Sequence, residues 1–590
     1  LGNFNADHLI ILPMLWLLGY TINFSITDAI TGYGIRATLV INGTVYKTTE
    51  NGFANVELQE GNYEISVSAL GYRDLRTNLK VDKNTPREIN FMLMPMEIPQ
   101  PPKAKEGFAV WYGWVVDAET RTPISGVLVE ISTPYGKFSA KTNNNGYYQV
   151  EFPVKGSGEK PLEGKVIFSK KGYNSYIKAG VFILEGSQRM NAQLKKGNSK
   201  VIEEKKHGLK EEKQYYEPEE DKKKFSKPSD EDYQLFAPFL APPSTIRVGR
   251  SCSCRTCSSV SIVSLETYVQ LGLDDEWIAS WAAHSLRAGA IPYRSYGAWY
   301  VLNPISSSYD ICDNTCCQVW DPNDSYTSTI NAARYTSGIM LENSGNIARS
   351  EYSAENNNCG CGDGYSGTGS SWPCVRDTVC SGRACYGHGR GMCQWGSSRW
   401  ANRGFTWKWI NEHYYSPGGY RISTPMRIVS VSATPTNVCI GDTFRIDLNV
   451  QSYAEDTHNQ IMIGASLYNG TYISDPPRDI KVSIPPGSST RSRYFVVPPG
   501  TSAGTYDLLV ALWFDVNENN AINSGDLLLH MVSRAFYINV CATDVKENIS
   551  EIEGGSLSVY SVDGRRVERP EKRGFYFVVD GRKIRKVFKR

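Results

Sequence analysis

The 590-residue chain carries 63 Lys and Arg against 61 Asp and Glu, a formal net charge of +2, so bulk electrostatics argue against nucleic acid as its partner. Aromatic residues make up 12% of it, with 35 Tyr and 13 Trp, which suits a β-rich exported protein that meets carbohydrate, although all-β folds also use Tyr for packing. The length admits roughly three to five domains. Of the 14 Cys, 12 lie between Cys252 and Cys393, an even, clustered set that points to disulfides in an oxidising compartment or to metal binding.

In chain order, LIILPMLWLLG at 9–19 is too short to span a bilayer. It reads as the core of an export signal over 1–19, or else as a buried first strand. No other stretch is a transmembrane candidate, and the expected location is secreted or cell surface. Residues 20–95 alternate apolar and polar in short runs separated by Gly, Asn and Asp, the pattern of a small β-sandwich. Residues 108–195 repeat it: KTTENGF at 47–53 answers KTNNNGY at 141–147, and ALGY at 69–72 answers KKGY at 170–173. This repeat resembles the carboxypeptidase regulatory-like domain, an extracellular sandwich whose implied role is a spacer or binding module. A Pro-rich stretch at 95–103 predicts a stiff extended joint. The Lys- and Glu-rich run 196–232 predicts a charged linker, disordered or an exposed helix.

A central α+β domain is expected over 238–422, followed by an Ig-like β-sandwich over 427–541 whose ends carry Cys439 and Cys541, placed to be bridged. Within that sandwich, DVNENNAINSGD at 515–526 sets oxygen side chains at the spacing of a calcium loop, with Asp515, Asn517, Asn519 and Asp526 as ligands; a plain Asn-rich turn is the alternative. Asn520 stands where such loops carry Gly and would have to adopt the left-handed conformation. LSVYSVDGRRV at 557–567 and RGFYFVVDGRKIRKVFKR at 573–590 read as strands joined by Asp-Gly turns with a basic end, and over 555–590 they resemble the C-terminal sorting domain of type IX secretion substrates; a basic last strand of an ordinary sandwich is the alternative. The predicted fold class is therefore multidomain and mostly β: sandwich repeats, a central α+β domain, a C-terminal sandwich and a short β sorting domain.

The longest helix-compatible stretch, 265–296, holds Asp274, Asp275 and Glu276 beside Trp277, Ile278 and Trp281. A carboxyl buried against an indole can hold a proton at neutral pH. A helix start with solvated acids is the competing reading. Two further blocks follow, YDICDNTCCQVW at 309–320 and GHGRGMCQWG at 387–396. In this order, with Arg294 and Tyr296, the three blocks resemble the stage II sporulation protein D or amidase-enhancer domain, over about 175 residues. That family includes lytic transglycosylases, and the resemblance implies Glu276 as the single catalytic acid acting on peptidoglycan glycan strands. On a helix neighbours diverge by about 100° per residue, so Asp274 and Asp275 are expected to be solvated. His388, Gln394, Arg294, Tyr352 and Ser353 are the implied substrate-binding residues, while Trp395 either stacks on a sugar or plugs the core. Some members bind zinc through this Cys block; here Cys312, Cys316 and Cys317 offer three thiolates, with disulfides the rival use. No organic cofactor is implied. The alternative functions are a non-catalytic enhancer of a separate amidase, or a carbohydrate-binding surface protein.

Overall fold

Short runs of alternating polarity build sandwiches at both ends of the chain, with helices between them. A computed structural model describes residues 19–155, 160–210, 237–355, 375, 378–383 and 386–541, and the backbone of four strands between 558 and 589. The expected export signal, apart from Gly19, and the run 211–232 lie outside the described residues.

The first sandwich packs Gly19–Asp28, Phe53–Gln59 and Glu88–Leu93 over a second sheet of Thr38–Ile41, Thr44–Lys47, Gly61–Ser68 and Leu75–Val81. Alternate residues Ile22, Phe24 and Ile26 point inward to meet Leu39, Ile65, Val67 and Leu79. The second sandwich repeats this plan with the same local chemistry. Tyr72 and Tyr173 follow the two Gly turns and donate to Asp28 Oδ2 at 2.8 Å and Asp117 Oδ2 at 3.0 Å. Thr48 and Thr142 accept the amides of Ala37 and Val127 at 2.8 and 2.9 Å. Each Asp also accepts two amides of the turn that follows it.

Neither sandwich is a separate bead. The central-domain strand Ser259–Ser264 pairs in parallel with Glu88–Leu93, and Thr245–Arg250 and Ile311–Cys312 continue that sheet to six strands. Asp324–Tyr326 likewise pairs antiparallel with Gly186–Met190 of the second sandwich. Edge strands carry a row of unpaired amides and carbonyls, and here the central domain covers both edges. The predicted linker is corrected at its start. Lys200–Glu204 is a strand added in parallel to Ser175–Ile183, and residues 205–210 then pass into the central domain. Arg189, buried, ties the three units together, donating to Ile30 O at 2.7 Å, Pro322 O at 2.9 Å and Ser325 Oγ at 3.0 Å.

Among the described residues, five α-helices lie in the central domain: α1 (Leu265–Gly272), α2 (Ala283–Leu302), α3 (Thr327–Tyr335), α4 (Gln394–Asn402) and α5 (Trp407–Tyr415). Ser264 caps α1 by accepting the Thr267 amide, and every residue of that helix is buried. Pro292 interrupts the bond ladder of α2, and Asn411 of α5 donates instead to the orphaned Ala288 carbonyl at 3.2 Å. The helices share one apolar core with the C-terminal sandwich, whose sheets are built on Met426–Thr434, Thr443–Ser452 and Gly487–Val496, and on His458–Tyr468 and Gly504–Phe514. Cys439 and Cys541 are disulfide-bonded across adjacent parallel strands, as their positions predicted. The four strands between 558 and 589 pair into one antiparallel sheet.

Candidate active site

Glu276 ends a 3-10 turn, Leu273–Asp275, that follows α1 and is fully buried. The other two sequence blocks reach it. Val319, beside the Cys block, donates its amide to Glu276 Oε1 at 3.1 Å. Gln394, at the start of α4, donates Nε2 to the Glu276 carbonyl at 2.7 Å and to Oε2 at 3.3 Å. Both carboxylate oxygens thus meet a donor fixed by a different part of the chain.

The supports for these donors come from the same blocks. Disulfides join Cys312 to Cys317, Cys254 to Cys316 and Cys252 to Cys257, holding the 312–317 turn against the hairpin before α1. This corrects the zinc expectation: with their sulfurs in disulfides, Cys312, Cys316 and Cys317 offer no thiolates to a metal. Gln318 bridges two phenols, accepting from Tyr268 at 2.6 Å and donating to Tyr352 at 2.7 Å. Tyr352 packs its ring 4.8 Å from Trp277, and burial together with the nearby Glu276 charge holds its phenol well above the usual range. Ser353 accepts the Gly389 amide at 3.2 Å, and Tyr352–Ser353 pairs in parallel with Met392–Cys393, fixing the glycine loop beside the carboxylate. Gly391 there has φ of +64°, and a Cβ on it would sit 1.8 Å from the Glu351 carbonyl, so only glycine fits the turn. His388 is buried within this loop and accepts the Arg390 amide at 3.2 Å.

Arg294 has a different role from the one expected. Its guanidinium is buried against Glu266, at 2.7 and 2.9 Å, and donates to the Ala333 and Ile339 carbonyls. It is a strut between α1, α2 and α3, with no donor turned to a ligand.

The acidic neighbours are also corrected: Asp274 and Asp275 are buried, not solvated. Asp275 accepts from the Asp321 amide at 2.6 Å and pairs with Lys205 of the supposed linker, which also meets Asp324 at 2.7 Å. Lys178 of the second sandwich completes the cluster through Asp321 and Asp324. Burial pushes Asp275 up to about 7 against the pull of Lys205, and burial beside the Asp275 charge holds Asp274 well above the usual carboxylate range.

Among the described residues, two groups of side chains have the donor types and proximity to hold a metal ion, Asp274/Asp275/Asp324 and Glu355/Cys380/Cys393. Each already contains a cation of the protein, Lys205 in the first and Arg399 in the second, whose Nη1 lies 2.9 Å from both Cys380 Sγ and Glu355 Oε2. The 515–526 loop is shaped by its own amides: Asp515 accepts from Asn519 and Asn520, and Asp526 from Val516 and Asn523. Asn520 adopts the left-handed conformation with φ of +59°, as expected. Asn517 and Asn519 accept amides within the same loop. The charge a calcium ion would neutralise on Asp515 is already met by Lys481 at 3.4 Å.

The convergence on Glu276 falls inside a recognisable segment. Residues 254–342 match the SpoIID family model, described as stage II sporulation protein. This SpoIID segment takes in α1, Glu276, α2, the disulfide turn and α3, and stops short of the glycine loop that supplies Gln394. No curated protein matches the chain. Among solved structures, it is similar to the CARDB domain of a Pyrococcus furiosus protein, in complex with di-metal ions, at 14% identity over 20% of this chain and 94% of that one, TM-score 0.14. The Bacillus anthracis TIE protein matches at 14% identity over 30% of this chain and 34% of that one, TM-score 0.12. The Lactobacillus rhamnosus GG shaft pilin SpaA matches at 9% identity over 32% of this chain and 100% of that one, TM-score 0.12.

Residues 205–210 are the part of this site that sequence reasoning missed. The signal was slight: a His and a Gly, HGLK at 207–210, interrupting a run otherwise given to Lys and Glu.

Proposed function

We propose that the central domain is a peptidoglycan lytic transglycosylase in which Glu276 acts alone, at the cell surface or outside the cell. The observation that carries this reading is the carboxylate inside the SpoIID segment whose two oxygens each meet a fixed donor, Val319 N and Gln394 Nε2. As the acid, Glu276 gives its proton to the oxygen linking N-acetylmuramic acid to N-acetylglucosamine, and the bond from muramyl C1 to that oxygen breaks. The resulting carboxylate takes the proton of the muramyl 6-hydroxyl, whose oxygen closes onto C1 as the 1,6-anhydro ring. One carboxyl group suffices because no water is activated, unlike the paired carboxylates of ordinary glycosidases. The two donors stabilise the anion between the steps and keep it from rotating away. The disulfides around Cys312 support an oxidising location. No described helix is long and apolar enough to cross a membrane.

A non-catalytic amidase enhancer is the second reading, favoured by the complete burial of Glu276. The two are separated by incubating the full chain with peptide-stripped glycan strands and analysing the products by mass spectrometry. Glu276→Gln is expected to lower 1,6-anhydro product release by at least about 100-fold, the low end of general acid–base contributions. Equal release by wild type and variant would remove Glu276 from the chemistry. Acceleration of an added amidase by both, with no anhydro product from either, would establish the enhancer.

A further inference from the structure

The burial of Glu276 has a specific cause. After the exposed strand Lys200–Glu204, the chain turns inward at Lys205, whose amide still bonds to the Ala179 carbonyl at 2.9 Å while its ammonium enters the buried Asp275/Asp324 pair. His207 is buried with its ring 4.9 Å from Phe182. The Gly208 amide donates to the Asp275 carbonyl at 2.8 Å, and its backbone lies so close to the carboxylate that a Cβ there would sit 1.7 Å from Glu276 Oε2. Leu209 packs into a small apolar cluster with Trp281 and Trp395, whose rings lie 5.0 Å apart. Lys210 is held by the Gly180 carbonyl at 2.6 Å and Glu163 at 2.7 Å, and its own carbonyl accepts from Tyr386 at 2.9 Å.

The six residues thus lie over the two features a glycan-cleaving site offers a sugar chain: an acid, and aromatic rings on which a pyranose can stack. We propose that Lys205–Lys210 is an autoinhibitory strap filling the glycan subsite, and that Trp281 and Trp395 form the platform which receives a sugar ring once the strap lifts. This rests on the transglycosylase reading for the identity of the ligand as a glycan, and deepens it by assigning its subsite and its regulation. The strap is built to be released as a unit. Its anchors are the side chains of Lys205 and Lys210, a few backbone bonds and the packing of His207 and Leu209, and the strand before it is exposed along its whole length.

Gly208→Ala tests this, because the added methyl has no room beside Glu276. Amide hydrogen exchange over 205–210 reports whether the strap has lifted, and sedimentation with peptide-stripped glycan strands reports binding apart from chemistry. Exchange, glycan binding and anhydro-product release are all expected to rise, the last two by roughly tenfold or more as the competent population grows. Higher binding without any cleavage would uphold the strap and refute the transglycosylase. A lifted strap with binding and cleavage both unchanged would overturn the strap, while the wild type compared with Glu276→Gln still decides the chemistry. Should Gly208→Ala fail to fold, Lys210→Ala combined with Tyr386→Phe removes the outer anchors without touching Glu276. It is expected to give the same gains in smaller measure. Unchanged exchange and binding in a folded double variant would equally overturn the proposal.

Discussion

The central domain meets the rest of the chain on two sides, and the two junctions are made of different materials. Toward the C-terminal sandwich it shares a single apolar core: Phe514 sits 5.3 Å from both Tyr335 and Trp407, and His458 bonds the Ser337 carbonyl at 2.8 Å. Toward the N-terminal sandwiches, whose cores are largely their own, it joins by strand addition, the Arg189 hydrogen bonds and the Lys178/Lys205 cluster. A shared core is non-directional and cooperative, so its parts hold or fail together. A junction of backbone pairs and a few buried ions can open locally while each core stays intact. The strap over Glu276 arrives from the second side.

The largest effect is expected at the shared core. Phe514→Ala should cost on the order of 3–5 kcal/mol from the cavity it leaves. In urea unfolding, the central domain and the C-terminal sandwich should lose stability together; separate transitions would mean the core is not shared. Arg189→Met comes next, at about 2–3 kcal/mol, from the buried Pro322 carbonyl left without this donor and the lost bonds to Ser325 Oγ and to Ile30 O, which keeps Asn191. Here hydrogen exchange should rise at the junctions with Ile30 and Pro322 while the second sandwich's core stays protected, and a uniform rise would erase the contrast.

A pH response should also come from the C-terminal side. Burial pushes His458 down to about 4, so it stays neutral in the fold while its unfolded counterpart takes a proton below its ordinary value near 6.5. Its contribution is present above that value and is lost as pH falls from 6.5 toward 4, about 2 kcal/mol by pH 5. Melting temperatures of His458→Gln should fall less on acidification than those of wild type, and parallel curves would contradict this assignment. The smallest effect is reserved for Arg287, which pairs with the half-exposed Glu518 at the rim of the same junction. Arg287 also stacks 3.5 Å over the Tyr335 ring, so Arg287→Ala should cost about 1–2 kcal/mol by chemical denaturation, and less in high salt.

Much of this was legible in the sequence. Alternating runs and Asn-Gly turns located both repeats because strand register and turn conformation are local properties of the chain. The Cys439–Cys541 bridge followed from the two residues' places at opposite ends of one sandwich, and Asn520 was recognised from what its turn demands. Glu276 was singled out by the resemblance of three blocks to the stage II sporulation protein D domain, and in the structure the other two blocks reach its carboxylate. Arg294 was misjudged because its position in a motif does not reveal its partner, and Glu266 claims it 28 residues away in sequence. Cys312, Cys316 and Cys317 have the composition of a zinc site; only the approach of Cys254 and the pairing of Cys312 with Cys317 decide otherwise.

The sequence by itself determined the β-rich sandwiches and their repetition, since each depends on side-chain periodicity or on neighbours within a few residues. Only the tertiary structure decided that Asp274 and Asp275 are buried, that 205–210 leaves the linker to cover Glu276, and that the sandwiches share sheets with the central domain. The reason is electrostatic and steric. A lysine in a charged run reads as solvated until the fold sets Asp275 and Asp324 around it, and a glycine beside it reads as flexible until a carboxylate occupies the space its side chain would need.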